Sequence, residues 1–316
     1  MSKSADSISK SRPPILFIFD TNAHTYLADH PDFDSIIEKL NSRRPLFIPH
    51  FTFVNFFEYL KMVHDKESLC RAQGYVRKVK SITLGGSILP DVKLHVRAAA
   101  GIASEEQLTD DMKQFLSGMN MFLRIKGIDE FSEVVAPALS KDMDRVSRIV
   151  AGYRRSDEIS RKVLKSLRQS RKVDSFKKGL SLGADSVSVR SFLKGAVKRF
   201  GLVDGAGGFS SAKLLETVPS IRYYSSVFLH YSRQSALVKR DAKDSDYIDM
   251  EQVGYLNVAD YIVTGDRFLQ DLINHCGEED LVGRAISPLK FLDMIDDNSI
   301  GPIAPQKGVQ KWVGLS

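Results

Sequence analysis

"ILFIFDTNAHTYL", residues 15–27, sets five large apolar residues directly against an aspartate. An unbroken apolar run, without the polar alternation of a half-exposed strand, is the pattern of a strand covered on both faces in a parallel sheet. Asp20 then falls at the carboxyl end of that strand. In open α/β sheets this is the edge where ligands bind, but Asp, like Asn22 two residues on, is also a common helix cap. Both readings stay open for this stretch taken alone.

Upstream, the Ser- and Lys-rich residues 1–14 end in Pro13-Pro14 and read as a disordered arm. Downstream, a helical stretch from about Phe33 to Leu40 leads to a second short apolar run, "PLFIP" at 45–49, and then to a helix through "FVNFFEYLKMV". The order strand, helix, strand, helix favours a parallel α/β sheet. Between residues 64 and 235 that rhythm breaks and helical periodicity dominates. Met143, Val146, Val150 and Tyr153, then Ile159, Val163 and Leu167, recur at spacings of three and four, with basic residues between them. "GLVDGAGGFSSAKLL" is Gly-rich but lacks the GK[ST] ending of a phosphate loop, so it reads as a loop before a Ser-capped helix.

The α/β pattern returns near residue 244. "DSDYIDMEQVGYLNVA" reads as a helix, "DYIVT" as a buried strand and "GDRFLQDLINH" as a turn and helix; "GRAISPLKFLDMI" reads as a strand, a Ser-Pro helix start and a closing helix. The expectation is therefore an α/β fold with a central parallel sheet of about four to five strands. Residues 15–63 and 236–300 would build it, residues 64–235 would form a mainly helical basic insertion, and 301–316 would be a tail.

The chain has 316 residues, 43% of them hydrophobic, enough for one large core or two smaller ones. Its apolar runs are far shorter than the ~20 residues that span a bilayer, and the first residues lack the apolar stretch of a signal peptide. A cytoplasmic protein with no membrane partner is expected. Cys70 and Cys276 belong to no metal-binding or disulfide pattern and are expected to be reduced, buried thiols. The formal charge of +6 is unevenly spread: residues 141–200 hold 17 Lys and Arg against 6 Asp and Glu.

The acids of the two α/β segments fall near strand ends. Asp20 follows the first strand, Asp266 follows "YIVT", Glu58 lies on the helix after the second strand, and Asp246 and Asp249 share a helix face just before the third. Each has a plain reading, as a cap, a turn residue or a solvated helix position. Should they converge, such a cluster cannot stay ionised without cations. Carboxylate oxygens suit Mg²⁺ or Mn²⁺, and the fitting chemistry is metal-activated attack of water on a phosphodiester.

These segments resemble the PIN domain, a family of metal-dependent nucleases, through "FIFDTNAHTYL", through Glu58 in "NFFEYL" and through "DSDYIDMEQVGYLNVADYIVTGDRF"; "AISPLKFL" is similar to the family's closing strand and helix. The resemblance covers about a third of the chain. It implies a PIN-like three-layer fold with Asp20, Glu58, Asp246 and Asp266 as catalytic, metal-binding acids. Asp249 would add a ligand or replace Asp246, and Asn22 and Thr264 would orient carboxylates or water. It further implies an endoribonuclease, a toxin or defence nuclease among the roles the family fills, and an inhibitory partner protein of the kind many members have. The large insertion departs from the family's compact form.

The insertion's cations, with Arg154, Arg155, Lys177 and Lys178 as candidates, would serve nucleic-acid phosphates without reading sequence; RNA in preference to DNA follows only from the family. Two alternatives remain. A haloacid-dehalogenase-like phosphatase also begins with an apolar strand ending in Asp, but its motif needs a second Asp where Asn22 stands. The other is a non-catalytic nucleic-acid-binding protein on a PIN-like scaffold.

Overall fold

β1, Ile15–Phe19, is buried at every residue because it has a strand on each side and helices above and below. It pairs in parallel with β2, Phe47–His50, along one edge and with β3, Tyr261–Val263, along the other. β4, Ala285–Ile286, pairs in parallel with β3, giving a four-stranded sheet in the order β2-β1-β3-β4. The computed structural model describes residues 14–43, 46–83, 88–140, 197–202, 213–214, 217–238 and 244–297, with isolated positions between 147 and 158. Among these, a further parallel bridge joins Phe51 to Ile88, and Leu89 N donates to Phe51 O at 2.9 Å, extending the pairing beyond β2.

α1, Thr21–Ala28, and α2, Phe33–Ser42, connect β1 to β2, and α3, Phe53–Lys61, follows β2. α4, Lys66–Ile82, α5, Val92–Ala99, α6, Glu105–Phe122, and α7, Ile128–Val134, come next, and then α8, Pro219–Val238. α9, Asp244–Glu251, runs into a 3₁₀ turn at Gln252–Asn257, and α10, Arg267–Asn274, and α11, Pro288–Asp296, follow β3 and β4. The starts are chemically marked. Asp65 with Ser68 and Ser104 with Gln107 form reciprocal caps that satisfy the first free N–H groups of α4 and α6.

Side chains of β1 alternate between two apolar layers, the period-two consequence of the pleat. Ile15, Phe17 and Phe19 pack with Leu27, Leu40 and Phe291 on one face. Leu16 and Ile18 pack with Val96, Tyr231, Val253 and Ile262 on the other. A third cluster joins Phe56 and Tyr59 of α3 to Val76 of α4 and to Phe115 and Phe122 of α6. The expected boundaries at 64 and 236 coincide with no break in packing. Val92, Val96 and the buried face of α8 belong to the same cluster as Leu16 and Ile18, with α5 and α8 packed against the 3₁₀ turn that precedes β3. At Gly254 a Cβ would come within 2.8 Å of Val92 Cγ2, which fixes how closely α5 approaches the 3₁₀ turn.

Polar ties lock β3 against β1 across more than two hundred residues. Asp260 N donates to Leu16 O at 2.7 Å, and Asp260 Oδ2 accepts from Leu16 N at 2.8 Å. Arg284, buried before β4, donates to the carbonyls of Asp260 at 2.9 Å and Leu256 at 2.6 Å. The chain leaves β1 toward β2 on one side and returns to β3 on the other, so the strand order reverses between β1 and β3. Their carboxyl ends thus open the crevice in which α/β folds hold ligands.

No helix among the described residues is long and apolar enough to cross a membrane. Cys276 is half-buried, its thiol pushed up to about 11 by burial, but Cys70 is exposed on α4, contrary to the expected burial. Its neighbours Leu69 and Ala72 take the inward positions of that helix.

Candidate functional site

Asp20 occupies the switch point, with 3% of its surface exposed. It is the N-cap of α1, its Oδ1 accepting from Ala23 N at 2.6 Å, and its Oδ2 accepts a hydrogen bond from the hydroxyl of Thr264. The capping and clustering readings of "FDTN" are therefore both true: one oxygen serves the helix and the other faces β3. Thr264, fully buried, leaves β3 with its N donating to Ile286 O at 2.9 Å. Its hydroxyl oxygen also accepts from Asp266 N at 3.0 Å, tying the first and last acids through a single side chain. Asp266 in turn caps α10, accepting from Phe268 N at 2.7 Å and Leu269 N at 3.3 Å.

Glu58 is delivered by α3, whose start is fastened by Asn55, one turn earlier. Asn55 is fully buried. Its Oδ1 accepts from Thr52 N at 3.1 Å and from the Thr52 hydroxyl at 2.6 Å, closing the start of α3. Its Nδ2 donates to Phe19 O at 2.9 Å and to Thr21 Oγ1 at 3.3 Å. The start of α3 is thus bonded to the residues on either side of Asp20. Thr21 also hydrogen-bonds Glu58 and favours its ionised form.

Asp246 and Asp249 project from α9, Asp246 buried and Asp249 partly exposed. Tyr231 of α8 donates from its hydroxyl to Asp246 Oδ2 at 3.3 Å, while its ring lies edge-on to Tyr247 and Phe268. A helix from the interval read as an insertion therefore supports one of the acids.

The electrostatics place all five acids in one field. Asp249 is pushed well above the usual carboxylate range, first by burial and then by the charges of Glu58, Asp20, Asp266 and Asp246. Asp20 is raised to about 6 by burial, against the bonds from Thr264 and Ala23, with Glu58 adding repulsion. Glu58 is raised by burial, while Thr21 and the charge of Lys61 pull it down. Carboxylates that each oppose their neighbours' ionisation lower their energy by taking up protons or a cation.

The five acids converge without closing: among the described residues no group of three or more His, Cys, Asp or Glu side chains is arranged to hold a metal ion. What fits a divalent ion is the donor chemistry, hard oxygens with mutual repulsion to relieve. Asn22 is exposed on α1 and makes no hydrogen bond to the acids; Thr21 and Asn55 make the polar links on that side. Arg154 and Arg155 are exposed helical positions, and Lys177 and Lys178 lie outside the described residues.

Sequence reading missed Asn55, Thr21 and Tyr231. Asn55 alone left a signal, since Thr-x-x-Asn opening an apolar helix is a variant of the reciprocal cap. Comparisons with protein-family models, curated proteins and solved structures return no match.

Proposed function

We propose that the protein is a divalent-metal-dependent endoribonuclease of PIN-like type. The observation that carries this reading is the convergence of Asp20, Glu58, Asp246, Asp249 and Asp266 on the switch point of a parallel sheet, where Asp249 is raised by all four of the others. These carboxylates would hold Mg²⁺ or Mn²⁺. When bound, the ion would lower the pKa of a coordinated water and supply a counter-charge for the phosphorane oxygens.

The chain's own residues do the rest. Thr264 holds the Asp20 carboxylate toward β3 and keeps it ionised against its burial. Thr21 hydrogen-bonds Glu58, and Asn55 ties the start of α3, the helix that carries Glu58, to Phe19 and Thr21 on either side of Asp20. Tyr231 orients Asp246. Backbone amides of α1 and α10 fix one oxygen each of Asp20 and Asp266, and Thr264 takes the second oxygen of Asp20. Pre-orientation of this kind lowers the reorganisation needed as charge develops on phosphorus.

The test is incubation of purified protein with structured RNA, single-stranded DNA and a small phosphate ester, with and without Mn²⁺. The expected outcome is metal-dependent RNA cleavage leaving 5′-phosphate and 3′-hydroxyl ends, abolished by Asp20→Asn with the fold retained. Full activity in Asp20→Asn, from a preparation free of contaminating nuclease, refutes the assignment. Phosphate release from the small ester instead points to a phosphatase.

A further inference from the structure

A site carrying five acids repels its own substrate, because a nucleic-acid strand brings a negative charge at every phosphate. Metal at the acids answers for the phosphate that reacts; the neighbouring phosphates need a cation from the chain, placed beside the acids but not neutralised by them. Lys61 has that placement. It closes α3 three residues after Glu58, so the two side chains lie on adjacent turns of one helix face, about 5–6 Å apart at Cβ. It is exposed, and its ammonium stands over the ring of Phe57, 5.7 Å from the centroid. Phe57 is itself only 4% exposed, so the surface beneath the ammonium is part of the packed fold. No acidic group lies within ion-pair distance of Lys61 among the described residues, although its charge reaches Glu58.

We propose that Lys61 is a substrate-gripping residue of this site: its ammonium, braced on Phe57 beside Glu58, binds a backbone phosphate next to the one that reacts. This rests on the nuclease reading for the identity of the reacting phosphate. The contact is with phosphate alone and carries no base preference. A single ammonium on an aromatic face has no second donor fork with which to read a base edge.

Two ordinary roles compete. A cation in the last turn of α3 complements the helix dipole, and a cation near Glu58 shields that carboxylate. The first predicts an effect on stability and none on binding. The second predicts a lower kcat and a shifted pH profile with KM unchanged.

The test uses a fluorescently labelled single-stranded RNA oligonucleotide, with binding followed by anisotropy in the Asp20→Asn background so that the probe stays intact. Adding Lys61→Ala should weaken binding about five- to tenfold at low salt. It should also reduce the slope of log K against log salt by about 0.7, the loss of one phosphate contact on a single strand. Lys61→Arg should restore both. In the otherwise native protein, Lys61→Ala should raise KM with little change in kcat. Unchanged affinity and slope, or a fall in kcat with KM constant, overturns the proposal. Weakened binding by a protein that cleaves no substrate leaves the grip standing and sinks the nuclease reading; cleavage with Lys61→Ala equal to the native protein in both assays does the reverse.

Discussion

Asp20→Asn should make the protein more stable while abolishing cleavage, and the size of the gain follows from the site's own electrostatics. Asp20 is raised from 3.8 to about 6. A carboxyl whose folded-state pKa lies above its unfolded value stabilises the fold fully below the unfolded value, and that contribution is lost as pH rises through the folded one. Near pH 7 the ionised group therefore costs about 3 kcal/mol, and near pH 4.5 only about 1 kcal/mol. The amide removes that cost. It keeps an oxygen for Ala23 N and exchanges a charge-assisted bond from Thr264 for a neutral one, and the strength those bonds lose with the charge is already contained in the raised pKa.

The net gain is about 3 kcal/mol near pH 7, which for a chain of this size is a rise in Tm of roughly 4 °C. It should shrink to about 1 kcal/mol near pH 4.5. Differential scanning calorimetry of both proteins at the two pH values, in chelator, measures it. Added Mg²⁺ should raise the Tm of the native protein and leave Asp20→Asn nearly unmoved, because the ion relieves the same repulsion. A variant less stable than the native protein by an equal amount at both pH values would show that Asp20 serves as a helix cap and no more.

Thr264→Val removes the hydroxyl that favours ionised Asp20 while keeping the shape, so the acid limb of the cleavage pH profile should move to higher pH; Thr264→Ser should restore it, and an unmoved limb in the valine variant contradicts the role assigned to this bond. His24 is fully buried with neither ring nitrogen hydrogen-bonded, stacked on Phe19 at 5.0 Å, and burial lowers it to about 3. A His lowered in this way contributes stability that is present above about 6.5, its unfolded value, and is lost as pH falls toward the folded one. His24→Leu should therefore flatten the decline in stability between about pH 6.5 and 4 followed by urea titration, and an identical decline in the variant would place the acid sensitivity elsewhere.

The local steps of this fold were legible residue by residue. "ILFIF" has strand length and no polar break, and β1 is Ile15–Phe19; "YIVT" and "AISP" yielded β3 and β4 for the same reason. Asp20 and Asp266 sit at chemically marked boundaries, each capping the helix that follows a strand, whereas Glu58 and Asp249 lie inside helices. Asn55 was less legible: its cap to Thr52 is local, but the bonds that matter for Glu58 reach Phe19 and Thr21, more than thirty residues away. Tyr231 was hidden by the same distance effect, since nothing in its helical repeat distinguishes it from the apolar residues around it. Treating residues 64–235 as an insertion reflected their helical periodicity, which is silent about which core a helix joins; α5 and α8 join the cluster that holds Leu16 and Ile18.

By itself the sequence determined the four strands and the helices flanking them, because those depend on neighbours within a turn or two of the chain, and it singled out the acids only as candidates. Only the tertiary structure decided that five acids from four segments share one field, in which the charges of the other four oppose ionisation of Asp249. Electrostatic coupling depends on separation in space. Here that separation is set by the pairing of β1 with β3 and by the Asp260 bonds to Leu16, contacts between residues 244 positions apart.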